Sequence, residues 1–195
     1  LNVVDRLAEE KGVDLLEINI SCPNVKEGGI SFGTDPKGVE HITKVIKEHA
    51  KQPVIMKLSP NVTSIAEIAK AAEAGGADLV SLINTITGMK IDTRRRKFVL
   101  ANKTGGMSGP AVHPVAVRMV YEVAQAVKIP IIGMGGVETA NDALEMILAG
   151  ASAVSVGTAN FGNPTATLDI IEGIERFMIE EGVSDIHELI GAVHE

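Results

Sequence analysis

Two stretches late in the chain, Ile129-Pro-Ile-Ile-Gly-Met-Gly-Gly136 and Ala153-Val-Ser-Val-Gly-Thr158, decide how the fold is read. Each is a short β-branched run that ends in glycine, and a segment of helical period carrying Ala143, Met146 and Ile147 lies between them. Strands separated by a helix must run parallel, joined by a right-handed crossover. Both glycine-bearing ends then fall on one rim of the sheet, where parallel folds place their chemistry.

The same alternation extends towards the N-terminus. Apolar runs at Asp14–Ile20, Pro53–Leu58 and Asp78–Ile83 are separated by helical patterns through Val39, Ile42 and Ile46, and then through Ile65, Ile68 and Ala72. A further pattern through Val117, Val120 and Ala124 precedes the glycine-bearing pair. Five strand-helix units result. Thr139 reads as a helix N-cap, and Gly75-Gly76, Gly150 and Gly182 stand where helix C-termini call for left-handed residues. Asn84 to Val112 reads as one long loop, containing Arg94-Arg-Arg-Lys97 and Thr104-Gly-Gly-Met-Ser-Gly109. The chain does not open with Met, and Leu1 to Glu10 already follows an amphipathic pattern, so it is expected to start inside a domain.

Two α/β architectures fit this pattern. An open doubly wound sheet suits 195 residues, whereas a (β/α)8 barrel needs about 250. The glycines favour the barrel, because the loops after its seventh and eighth strands are where barrels bind phosphate. We read residues 1–195 as a single, incomplete domain: the C-terminal five βα units of a TIM (β/α)8 barrel, truncated at the N-terminus.

Composition excludes several functions. With 45% hydrophobic residues, 3% aromatic and no Trp, the chain must fill a core with aliphatic side chains, as parallel α/β folds do. A net charge of -7 disfavours nucleic acid and anionic membrane as partners. The single cysteine, Cys22, rules out a disulfide framework or a multi-cysteine metal site within the chain and suits a reducing cytosolic setting. No metal site is expected. No apolar run approaches the roughly 18 residues of a membrane span.

Several residues at the expected strand ends could carry chemistry. Gly135-Gly136 and Gly157-Thr158 leave backbone N–H groups unobstructed before a helix, an arrangement suited to a phosphate dianion, although tight turns need glycine too. Cys22 lies just past a strand in Asn19-Ile-Ser-Cys-Pro-Asn24, where a thiolate could serve as base or nucleophile and where a buried inert thiol is the plain alternative. Lys57 interrupts an apolar strand and, if it points inward, must meet an anion. Asn84 and Thr85 would suit a planar polar ligand. His41, His49, His113, His187 and His194 read as structural and distant from the rim.

In order along the chain, Asn19-Ile-Ser-Cys-Pro-Asn24, Lys57, Ile83-Asn-Thr85, Lys103-Thr-Gly-Gly-Met-Ser-Gly109, Gly133-Met-Gly-Gly136 and Val156-Gly-Thr158 together resemble the dihydroorotate dehydrogenase family. The resemblance runs from about residue 14 to the C-terminal region and lacks roughly the first third of the family's chain. It implies FMN as cofactor, Cys22 as the active-site base of the class 1 enzymes, and oxidation of dihydroorotate to orotate in pyrimidine biosynthesis. Asn19, Asn24, Asn84 and Thr85 would hold the substrate. Lys57, Ile83, Gly109, Gly135, Gly136, Gly157 and Thr158 would hold FMN. Leu100 to Pro110 looks most like the 1B form, which implies a homodimeric catalytic subunit paired with an iron–sulfur, FAD-bearing subunit that passes electrons to NAD; the fumarate-using 1A form is the nearer alternative. Other readings are a flavin barrel of the dihydropyrimidine dehydrogenase type, which shares Asn-x-Ser-Cys-Pro, a phosphate-binding barrel without flavin, and a non-catalytic remnant.

Overall fold

The computed structural model describes residues 1–21 and 33–193. Its helices are α1 (Asn2–Ala8), α2 (Pro36–His49), α3 (Ile65–Ala74), α4 (His113–Ala124), α5 (Ala140–Leu148), α6 (Ala159–Gly162) and α7 (Ala166–Glu181). The strands are β1 (Leu16–Asn19), β2 (Val54–Lys57), β3 (Leu79–Leu82), β4 (Ile86–Met89), β5 (Ile91–Asp92), β6 (Lys97–Phe98), β7 (Thr104–Met107), β8 (Ile131–Met134) and β9 (Ala153–Ser155). Five of these form one sheet in the order β1-β2-β3-β8-β9, and every pairing in it is parallel. That is the chain-order adjacency expected from the strand-helix alternation.

The two faces of this sheet differ. Alternate residues Leu16, Val54, Met56, Val80, Leu82 and Ile131 are buried in one cluster with Val39, Ile46, Ile65, Ile68, Ala116, Val120 and Met146 of the helices. Each such Val, Leu, Ile or Met side chain contributes roughly 1.5–3 kcal/mol on burial. The opposite face carries Glu17, Asn19, Lys57, Ser81, Met134 and Ser155, and runs from Asn19 opposite Lys57 to Lys57 opposite Ser81 in a polar row across three strands. Helices therefore pack on the apolar face, and the polar row lies on the other.

Local signals place the helices. Asp35 Oδ2 accepts from Gly38 N at 2.9 Å with Pro36 opening α2, and Ser64 Oγ accepts from Glu67 N at 3.4 Å at the start of α3. Thr139 is the expected N-cap of α5, and with Asp142 it forms a capping box. Gly76, Gly150 and Gly182 have φ of 93°, 117° and 69° after their helices. Asp78 ties α2 to the sheet: its Oδ2 accepts from Lys47 Nζ at 2.6 Å and from Val54 N at 2.7 Å. Burial acts to raise the Asp78 carboxyl, but the Lys47 ammonium and the Val54 amide outweigh it and hold the group below its ordinary 3.8.

One expectation needs correction. Residues 84–112 are not a structureless loop but hold two antiparallel ribbons, β4 with β7 and β5 with β6. The pairing is short and glycine-rich: Gly88 faces Gly105, and Thr87 faces Gly106. Glycine, common in loops, also permits this close approach; a Cβ on Gly106 would stand 2.1 Å from Thr85 Oγ1. At the outer ribbon, Asp92 Oδ1 accepts from Arg94 N and Arg95 N, folding the basic run into a tight turn.

Candidate active site

The C-terminal ends of β2, β3, β8 and β9 open on a cleft of about 410 Å³. Lys57 lies on one side of it, Ile83, Asn84 and Thr85 follow β3, and the turns after β8 and β9 bring in Gly135, Gly136, Gly157 and Thr158. Eight of the site residues expected from the sequence thus line one cavity, a convergence that depends wholly on parallel pairing. Gly109 does not line the cleft, but its carbonyl oxygen backs the Gly136 turn, 2.5 Å from where a Cβ on Gly136 would sit. Asn19 reaches the site through Asn84, whose Nδ2 donates to Asn19 Oδ1 at 3.3 Å and to Ser21 Oγ at 2.6 Å. Cys22 and Asn24 lie outside the described residues.

Asn84 is held on both sides. Its Oδ1 accepts from Thr85 N at 2.7 Å while its amide nitrogen donates towards β1, so its orientation is set by the network. Asn61 supports Thr85 from beneath: its Nδ2 donates to the Thr85 carbonyl at 3.0 Å, and its Oδ1 accepts from Thr87 N at 3.0 Å. These bonds fix the polar end of the cleft before any ligand arrives.

Lys57 does meet an anion, and it is Glu17. Its Nζ lies 3.1 Å from Glu17 Oε1, and the other carboxylate oxygen accepts from Ser81 Oγ at 2.9 Å. The reading of the sequence passed over Glu17. A carboxylate two residues before Asn19 falls on the same strand face, so the period-2 pattern that placed Asn19 at the site placed Glu17 there as well. Ser108, Ser155 and Phe161 were also missed and line the cleft; Ser108 follows β7, Ser155 ends β9 and Phe161 lies in the short α6.

The turn after β8 requires glycine. Gly135 and Gly136 have φ of 131° and 68°, and a Cβ on Gly136 would lie 2.9 Å from His113 Cβ. Gly157 differs: a Cβ there meets nothing within 4 Å, so its lack of a side chain is not needed for packing. The placement of His113 corrects the expectation that all the histidines lie away from the rim. His113 is buried directly behind the Gly135–Gly136 turn, with Nδ1 2.9 Å from the Gly135 carbonyl oxygen. Beside it, burial acts to raise the Asp142 carboxyl, but the amides of Glu138 and Thr139, the Thr139 hydroxyl and His113 together hold it below its ordinary 3.8.

A parallel βα sheet with its helices on one face, and a polar cleft with two glycine turns at its strand ends, defines an α/β protein of the barrel-like class. The family model for dihydroorotate dehydrogenase matches residues 1–178, and the chain belongs to that family. It is 69% identical over 193 residues to the catalytic subunit of dihydroorotate dehydrogenase B (NAD(+)) from Lachnoclostridium phytofermentans, covering 99% of this chain and 64% of that protein. To the corresponding subunit of Alkaliphilus oremlandii it is 62% identical over 179 residues, covering 92% and 59% respectively. The chain therefore spans less than two thirds of the length of these relatives. A crystal structure of an Eimeria tenella DHODH in complex with ferulenol shares the fold, with a TM-score of 0.81 at 22% identity over 98% of this chain and 56% of that one. Among the described residues no helix is long and apolar enough to cross a membrane, and no cluster of three or more candidate metal ligands occurs.

Proposed function

We propose that this chain is the C-terminal five βα units of a (β/α)8 barrel that binds FMN and oxidises dihydroorotate to orotate. The observation that carries the reading is the convergence of Lys57, the Asn84–Thr85 shelf and the two glycine turns on one cleft. The donor set fits the cofactor. Gly157 leaves open space where a Cβ would stand, and the Gly135–Gly136 turn takes a left-handed path available to glycine, so both can present backbone N–H groups to a phosphate. Gly135, Gly136, Gly157 and Thr158 would hold the phosphate, with Gly109 behind them and Ile83 and Lys57 beside the ring. When bound, FMN supplies the hydride acceptor.

The residues of the chain do the remaining work. Lys57 offers a cation at the cleft, tempered by Glu17 3.1 Å away, where negative charge would develop. Asn84 and Thr85, with Asn19 from the neighbouring strand end and with Asn24, would hydrogen-bond the pyrimidine and its carboxylate and so orient the carbon that loses hydride. Cys22, three residues beyond Asn19, is the base that takes the proton from the adjacent carbon. The relatives' description as a catalytic subunit supports a second, electron-accepting subunit, which we take to carry iron–sulfur and FAD groups and to pass electrons to NAD, with the catalytic subunit itself a homodimer. We place the enzyme in the reducing cytosol.

The test uses the full-length protein that contains this chain. It should purify yellow with a flavin spectrum and turn over dihydroorotate, while Cys22→Ala should keep the flavin and slow its reduction by roughly 10²-fold or more. A colourless protein, or an alanine variant with unchanged reduction rate, would defeat the proposal. Turnover of uracil in place of dihydroorotate would favour the dihydropyrimidine dehydrogenase type.

A further inference from the structure

His113 opens α4 behind the turn that the proposed function assigns to phosphate, and nothing in that function uses it. Its side chain is 8% exposed. A carbonyl oxygen can only accept, so the 2.9 Å contact to Gly135 requires the proton to be on Nδ1 and the ring to donate. The opposite ring nitrogen, Nε2, is buried without a hydrogen bond, and lies 3.5 Å from Glu145 Oε2 and 3.8 Å from Asp142 Oδ1. Those two carboxylates, both on α5, are the only ones within 4.0 Å of the ring among the described residues.

The same turn is packed against His113 by backbone as well. A Cβ on Gly136 would lie 3.0 Å from His113 N and 2.9 Å from His113 Cβ. The turn has no side chain of its own with which to hold its position, because both of its residues are glycine. Its carbonyl at Gly135 is nevertheless pulled inwards, onto His113, and the peptide plane that follows it is set by that bond. A carbonyl directed onto His113 leaves the N–H of the same trans peptide unit, that of Gly136, directed the opposite way.

We propose that His113 is a positioning residue for the phosphate end of the cofactor: by holding the Gly135 carbonyl inwards it presents the Gly136 N–H to a phosphate dianion. The inference rests on the flavin reading above. It concerns only the phosphate, so it separates FMN from riboflavin, which has the same ring and ribityl chain without the phosphate.

The test measures dissociation constants of FMN and riboflavin for the full-length apoprotein, by flavin fluorescence, in wild type, His113→Leu and His113→Asn. Asn places an amide N–H close to where Nδ1 stands, whereas Leu removes the donor. His113→Leu should bind FMN about 10-fold more weakly, as expected for loss of one hydrogen bond, with riboflavin affinity unchanged, and His113→Asn should recover FMN affinity to within about threefold. Equal weakening of both flavins, unchanged FMN affinity in His113→Leu, or failure of the Asn variant to recover it would overturn the inference. If His113→Leu does not fold, long-range ¹H–¹⁵N spectra of the wild-type histidine rings decide. A ring protonated at Nδ1 whose signals move with FMN and not with riboflavin supports the role, and an unprotonated Nδ1 or an identical response to both overturns it. Wild-type protein that binds neither flavin overturns the flavin reading itself, and this inference with it.

Discussion

Gly136 and Gly157 are both glycines at strand ends facing the same cleft, yet their substitution by alanine should have opposite consequences. At Gly136 the backbone has φ of 68°, and a Cβ would stand 2.5 Å from the Gly109 carbonyl oxygen and 2.9 Å from His113 Cβ. A left-handed conformation costs an L-residue about 1–2 kcal/mol, and overpacking a close-set site costs about 1–3 kcal/mol more. Neither neighbour is the free end of a flexible side chain, so the clash has little room to relax. Gly136→Ala should therefore lose about 2–5 kcal/mol of stability, or about 4–20 °C in Tm for a domain of this size. At Gly157 the φ is not left-handed and a Cβ meets nothing within 4 Å, so Gly157→Ala should unfold within about 0.5 kcal/mol of wild type. The space that its methyl fills is cleft space, however, and FMN affinity should fall by roughly 10-fold or more where a phosphate must approach the backbone. Urea unfolding of the apoprotein and flavin titration of the same samples separate the two effects. The reasoning is refuted if Gly136→Ala is as stable as wild type, or if Gly157→Ala binds FMN normally, which would return Gly157 to an ordinary βα turn.

Other consequences can be checked in the same protein. Lys57→Gln should lower the midpoint potential of bound FMN and Glu17→Gln should raise it, each by on the order of 30 mV if about 1.4 kcal/mol of charge stabilisation is at stake, because the two groups oppose one another across 3.1 Å; shifts of the same sign would refute this. Met56→Ala empties a fully buried position between sheet and helices and should cost about 2–5 kcal/mol in urea unfolding; a loss below about 1 kcal/mol would place Met56 outside the core. The carboxyls of Asp78 and Asp142 are both held below their ordinary 3.8 in the folded protein, so the stability they contribute is present above that value and is lost as pH falls through their lowered folded values. Asp78→Asn should flatten the acid limb of a stability–pH curve, and an unchanged acid limb would show that Asp78 is not coupled to folding.

The strand-helix alternation was legible in the sequence because a parallel sheet covered by helices has a local signature. Val54, Met56, Val80 and Leu82 alternate with the residues of the other face, and Thr139, Gly76, Gly150 and Gly182 mark helix ends through backbone requirements that belong to single residues. The order of the cleft residues was legible for the same reason: in a parallel sheet every strand's C-terminal end lies on one rim, so the residue that follows each strand is brought to the site without knowledge of any contact. Lys57, Asn84, Gly135 and Gly157 followed from that rule alone.

What depends on distances between strands could be read only in three dimensions. Glu17 and Lys57 are 40 residues apart, and nothing in either segment names the other as its partner; the β1–β2 register does. The ribbons within residues 84–112 were hidden because glycine marks a loop and a close backbone approach with the same letter, and only the pairing of Gly88 with Gly105 distinguishes them. His113 looked like an ordinary residue at a helix start, and meets the Gly135–Gly136 turn because the α4 start packs beneath β8. Local backbone preferences and hydrophobic period act over a few residues and are written in the chain, whereas the charge pairs, the inward carbonyl of Gly135 and the shape of the cleft arise where segments meet, and those are decided by packing.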